Sequence, residues 1–291
     1  MPEEKKAYRF LLIRPFTLPP DGRFKAKVSP YRKDLPKEQR LRYYDNIKHL
    51  FADVEWDLHE GPLAPYGDWN VETMEEKCLV AAARLPIVRE ACESGHYNAI
   101  ILLGGIDPGF LESREIARKY RIAVTACAFS QMHIACMLGN KFSIIDKAEV
   151  SIVNQSNLVV QYHFVDRCAS VRNINIPHPR PGCTEEIVLV EEEQKALRGE
   201  PSEAVERAVR EAVAAIEEDG AEVINLGCSG LFWLQPYLQK RLNEMGWEVP
   251  VLEGYGCSIM LAKTLVSLGV DASGLSFPSD RPKKWRRKKS L

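Results

Sequence analysis

Short apolar, β-branched runs alternate along this chain with longer stretches in which apolar residues recur every three or four positions. The clearest runs are Tyr8 to Ile13, Asp53 to Trp56, Ala99 to Leu103 and Ile122 to Thr125. A second set follows at Phe142 to Ile145, Ala169 to Arg172, Glu222 to Leu226 and Val249 to Leu252. Such alternation predicts parallel strands joined by crossover helices, and the two sets predict two sheets. Between them, Glu203 to Ile216 places Val205, Ala208, Val209, Ala212, Val213 and Ile216 on one face of an amphipathic helix. Ser202 is available to cap it, and Asp219-Gly220 stops it.

The two halves echo each other. Ala123-Val124-Thr125 runs into Ala126 to Ser130 and a helix containing Ala135, while Pro250-Val251-Leu252 runs into Glu253 to Cys257 and a helix containing Ala262. This predicts an α/β fold of two similar lobes. The first spans 1-129 and is completed by 256-291; the second spans 130-255. Residues 18-50 break the pattern with Pro19, Pro20, Pro30 and Pro36, and with Tyr31, Tyr43 and Tyr44. They read as an insertion with a helix from about Lys37 to Leu50 that covers the site, pairs subunits or decorates the surface.

Charge narrows the function classes. Lys plus Arg (39) nearly cancels Asp plus Glu (40), which argues against nucleic-acid binding. The basic stretch Lys283 to Lys289 is expected to be a solvated end. No apolar run reaches bilayer length, and Met1 to Lys6 lacks an apolar segment before a cleavage site, so a cytoplasmic protein with no membrane contact is expected. The eight cysteines are scattered without zinc or redox spacing and are expected to be reduced. The six histidines show no metal spacing either. His133 is expected to pack, and His163 and His178 lie in loops that border the predicted cleft without an assigned role.

The segment Leu226-Gly227-Cys228-Ser229-Gly230 puts a thiol directly after a strand. Parallel sheets bind ligands outside the carboxyl ends of their strands, so Cys228 is expected to face the pocket. A helix starting near Leu231 would add free N–H groups, lower the thiol's pKa and hold an anionic oxygen. The competing reading of Cys228 is a small buried hydrophobe. In the first half, Gly104-Gly105-Ile106 allows close backbone approach to a ligand but offers no thiol, and Asp107-Pro108-Gly109 opens the next helix.

Taken in order, Glu60-Gly61-Pro62, Asp107-Pro108-Gly109, Leu138 to Ser143, Ala169 to Arg172, Leu226 to Gly230 and Gly274-Leu275-Ser276 resemble the aspartate/glutamate/hydantoin racemase superfamily, and within it the hydantoin racemases. The resemblance implies two Rossmann-like lobes related by a pseudo-two-fold, an active site in the cleft between them, and no metal or organic cofactor. It also implies a homo-oligomer acting on a small carboxylate or cyclic amide. Two facing cysteines in that family pass a proton across the α-carbon. Cys228 matches the second; Gly104 stands at the first. The arylmalonate decarboxylases are similar in having glycine there, although the hydroxyl residues expected next are Gly105 and Ile106 here. Cys127 and Cys257, at the ends of the fourth strand in each half, are candidate second proton carriers. Arg14 and Phe16 replace the two asparagines of the family's Asn-Pro-Asn-Thr pattern after the first strand, and Thr17 keeps its threonine. With Ser130, Ser229, Gly230 and Tyr255 they are expected to touch substrate. Three readings follow: an enolate-forming lyase or atypical isomerase with Cys228 as one-sided donor, a racemase with a different second base, or a non-catalytic binding protein.

Overall fold

The computed structural model describes residues 7–28, 34–183, 186–280 and Lys284. Pro30 and Tyr31 of the insertion, residues 1–6 and the basic end apart from Lys284 lie outside the described residues. The first sheet comprises β1 (Tyr8–Ile13), β2 (Val54–His59), β3 (Ala99–Leu102) and β4 (Ala123–Ala126), all parallel, in the order β2-β1-β3-β4. The second comprises β5 (Phe142–Asp146), β6 (Cys168–Asn173), β7 (Val223–Leu226) and β8 (Val251–Leu252), parallel in the order β6-β5-β7-β8. Each sheet therefore runs second, first, third, fourth strand, which is the internal repeat that the sequence suggests. Strands β1, β3, β5 and β7 are buried on two faces over most of their length, which explains why they read as nearly continuous apolar runs.

Register decides what meets at the strand ends. Ile13 pairs with Leu102 and Leu102 with Ala126, so Arg14, Gly104 and Cys127 emerge side by side. In the second sheet Ile145 pairs with Leu226, so Asp146 and Lys147 emerge beside Cys228. The two sheets share one apolar cluster that includes Phe10, Leu12, Ile101, Ile145, Ile224 and Leu226. Helix α11 (Gly254–Ser267) follows β8 and packs back on β3, β4 and α6 (Cys127–Leu138) of the first half.

Three local expectations are corrected. The helix expected over Lys37 to Leu50 is broken into α2 (Lys37–Arg40), α3 (Tyr44–Ile47) and a 3₁₀ turn (Lys48–Phe51). Tyr43 interrupts it in the left-handed conformation at φ 63°. The crossover helix α9 (Glu203–Glu217) forms as expected, but Ser202 does not cap it. Glu192 of α8 (Leu189–Leu197) does so instead, accepting from the Ala204 N–H and the Ser202 hydroxyl. Third, residues Ser229–Leu234 form a 3₁₀ turn and the next helix, α10 (Gln235–Glu244), starts only at Gln235, so no α-helix begins at Leu231.

Helices α6 and α11 each start on a carboxylate, Asp107 buried and Glu253 half-buried. Asp107 accepts from the Ala128 and Phe129 N–H groups, and Glu253 from those of Tyr255 and Gly256. Burial nevertheless raises both acids, Asp107 to about 6 and Glu253 to about 7. A carboxyl raised on folding binds its proton more tightly in the native state. Its contribution to stability is therefore greatest below the unfolded value and declines as pH climbs through the folded one. Glu253→Gln removes one such group. Relative to wild type, this variant should gain about 3 °C or more in Tm between pH 5 and pH 8, read as the difference of two melting curves at each pH. No helix is long and apolar enough to cross a membrane among the described residues.

Candidate active site

The aligned strand ends of the two sheets face each other and enclose a cavity of about 90 Å³. Of the predicted residues, Arg14, Phe16, Gly104, Gly105, Ile106, Cys228, Ser229, Gly230 and Tyr255 line it. Thr17, Cys127, Ser130 and Cys257 do not. Thr17 instead forms a parallel β-bridge with Leu63, in the segment after β2. Cys127 is fully buried with its thiol donating to the Leu102 carbonyl at 3.7 Å, and burial drives its pKa far up. Ser130 is fully enclosed in α6. Cys257 lies on a separate apolar cavity of about 610 Å³ beside Ile47, Met137 and Met260. Neither cysteine is placed to exchange a proton with a molecule beside Cys228.

Two glycines set the width of the cleft. A Cβ on Gly105 would sit 1.8 Å from the Gly227 carbonyl oxygen and 2.9 Å from Cys228 Cα, so the strand ends of the two lobes touch backbone to backbone there. The Gln155 amide bridges the seam, lying within 3.2 Å of the Gly105 carbonyl, the Gly227 carbonyl and Asp146 Oδ2. Gly104 sits at φ 116°, a conformation costly for any residue with a side chain, and a Cβ there would be 3.2 Å from the Pro15 ring. Gly104→Cys is therefore expected to destabilise the fold by about 1–3 kcal/mol in denaturant unfolding, and not simply to install a second thiol. Beneath this corner Arg84, fully buried in α4 (Met74–Ser94), donates to the Ile13, Leu103 and Pro108 carbonyls. That one side chain fixes the carboxyl ends of β1 and β3.

Cys228 keeps part of its surface open to the cavity while protein encloses it on every other side. Enclosure and the Asp146 carboxylate push its thiol up to about 11; Lys147, the Gly230 N–H and Arg42 pull the other way and lose. The expected lowering by a helix N-terminus is thus corrected. The turn supplies one N–H, Gly230 to Sγ at 3.4 Å, in place of a full helix dipole. These influences favour the protonated thiol over the thiolate. His178, 3 % exposed, brings Nε2 to 4.0 Å from it and is held neutral by burial and by Lys147 and Arg42.

Several lining residues escaped sequence reasoning. Asp146, Lys147, Glu72, Ser151, Asn154 and Arg42 all reach the cavity. Lys147 and Glu72 form an ion pair that is almost fully buried, which Arg180 extends to Glu72 at 2.9 Å. Arg14 pairs with Glu60 at 2.7 Å, and Arg42 reaches from the insertion to Glu193 of α8 at 2.5 Å. The signal for Asp146-Lys147 was present, since Asp146 ends a buried strand and Lys147 follows it directly. Arg42 carried none, because nothing local says where an irregular segment folds back.

The paired parallel sheets and a cleft lined by strand ends, with one enclosed thiol and several cations, define an α/β protein with two four-stranded parallel sheets and a candidate site at their strand ends. Residues 43–262 match the family model described as Asp/Glu/Hydantoin racemase, and the chain belongs to that family. A hydantoin racemase of Rhizobium meliloti is 28% identical over 204 residues, covering 70% of this chain and 74% of that protein. A second, from Pseudomonas sp. (strain NS671), is 27% identical over 209 residues, covering 72% of this chain and 74% of the relative. Among solved structures, an allantoin racemase from Klebsiella pneumoniae superimposes with a TM-score of 0.67 at 23% identity, covering 95% of both chains. An arylmalonate decarboxylase variant in a liganded form superimposes at 0.55 and 14% identity, covering 94% of this chain and all of that one. The last two likenesses concern the fold.

Proposed function

We propose that this enzyme generates an enolate-type intermediate next to a carboxylate or amide carbonyl, and that Cys228 protonates one face of it. The observation that carries this reading is the asymmetry of the cleft. The Cys228 thiol stands two residues past the end of β7, and Gly104 stands at the equivalent place past β3. One acid on one face suits a reaction in which something other than a facing thiol creates the carbanion. In a decarboxylation the bond to the departing carboxylate breaks, carbon dioxide leaves, and the electron pair moves onto the retained carbonyl. The Cys228 proton then goes to the α-carbon, leaving a thiolate that water reprotonates. Arg14, Arg42 and Lys147 line the cavity and favour the negative charge on the oxygens. Phe16, Ile106 and Val71 offer apolar surface for a substituent.

A second reading, racemisation of a cyclic ureide with a base other than a facing cysteine, draws support from the two hydantoin racemases at 28% and 27% identity. Incubating the enzyme in D₂O with disubstituted malonates and with chiral hydantoins separates the two. Carbon dioxide release with a single deuterium in one product enantiomer supports the one-sided donor. Label entry into both enantiomers of a hydantoin, without carbon dioxide, supports the racemase. Neither outcome across both panels would leave only a binding role.

A further inference from the structure

We propose that His178 is a positioning residue for Cys228, presenting an Nε2–H to the sulfur and stabilising the thiolate that remains after the proton has been delivered. This rests on the reading of Cys228 as proton donor. The imidazole is 3 % exposed, its Nε2 lies 4.0 Å from Sγ, and its Nδ1 has no hydrogen-bond partner among the described residues. Those facts select the tautomer. A neutral imidazole carries one N–H. Placed on Nδ1, that hydrogen would be a buried donor with no acceptor, the costlier kind of orphan; placed on Nε2, it points at sulfur and leaves only a lone pair unmet. The ring approaches this closely because residue 230 is glycine, where a Cβ would stand 3.1 Å from Nε2.

A neutral N–H beside a thiol contributes little, since a thiol sulfur is a weak acceptor. Once the S–H proton has gone to carbon, sulfur holds the electron pair and a full negative charge, and the same N–H becomes a charge-assisted donor. The effect therefore appears in the proton-transfer step rather than in the resting enzyme. His178 keeps its own proton throughout, and water returns the one that sulfur lost. The other groups facing the thiol divide: Lys147, Arg42 and the Gly230 N–H favour the thiolate, and Asp146 opposes it. Lys147 and Arg42 also keep His178 neutral, so it acts as a dipole and not as an imidazolium.

The test reads the thiol itself. Cys228 is alkylated with iodoacetamide across a pH series in the full-length protein with exposed Cys78 and Cys183 changed to serine, and its peptide is followed by mass spectrometry. His178→Phe should move the titration midpoint of alkylation upward by about one unit, a roughly tenfold slower reaction at a fixed pH below it. His178→Gln, whose amide reaches as far as Nε2, should recover most of that loss, whereas His178→Asn, too short to reach, should behave like phenylalanine. If the phenylalanine variant does not fold, the glutamine and asparagine pair carries the test. Equal midpoints in wild type and His178→Asn, or a failure of glutamine to do better than asparagine, would overturn the proposal. Turnover that survives Cys228→Ala would instead sink the donor role of Cys228 and leave the alkylation result untouched.

Discussion

Cys228→Ala is expected to lower turnover by about 10³-fold while leaving the unfolding curve close to wild type. General acid catalysis by a positioned side chain contributes roughly 10²–10⁴-fold, and no second thiol lines the cavity among the described residues to take over. The fold should tolerate the change because Cys228 already has open cavity on one side, so truncation leaves no closed void. The measurement is the rate of product formation, with the stereochemistry of α-deuterium incorporation as a second readout. In the variant, residual product should be racemic, since solvent reaches both faces once the one-sided donor is gone. Turnover within a few-fold of wild type, or product that stays a single enantiomer, would remove Cys228 from the mechanism.

Gly105→Ala should be the most damaging single methyl in the molecule. The added carbon would lie 1.8 Å from a backbone oxygen at Gly227 and 2.9 Å from Cys228 Cα, and neither partner is the flexible end of a side chain. Relief requires the two strand ends to separate, which also strains the Gln155 bridge to both carbonyls and to Asp146. We expect a loss of at least about 4 kcal/mol, in the range reserved for overpacking combined with broken buried hydrogen bonds, seen as a lowered midpoint in urea or as insoluble expression. Any folded fraction should also lose activity, because the seam positions Cys228. An alanine variant that melts within a few degrees of wild type would mean that the strand ends are not in contact as described.

These two sites were legible to different degrees. The alternation of apolar runs and amphipathic stretches identified all eight strands to within a few residues, most clearly the central ones, because a strand buried on both faces is apolar nearly throughout. Cys228 was legible for the same reason: a small polar residue directly after such a strand has only the sheet's carboxyl edge to face. Lys147 obeys the same rule, and Asp146 ends the strand before it. Cys127 shows where the rule stops. It too follows a strand directly, yet it is the first residue of α6, and that turn carries it into the core.

The chain order of its apolar runs was enough to determine an α/β protein with two parallel sheets and a repeated unit, since periodicity is a local consequence of which faces a segment buries. Only the tertiary structure decided the chemistry around the thiol. Whether Cys228 is a thiol or a thiolate depends on burial, on Asp146, on Lys147 and on an arginine more than 180 residues earlier in the chain. His178 stands 50 residues from the sulfur it faces. Such effects act through a few ångströms of space with no fixed relation to sequence distance, so they exist only once the two sheets have met.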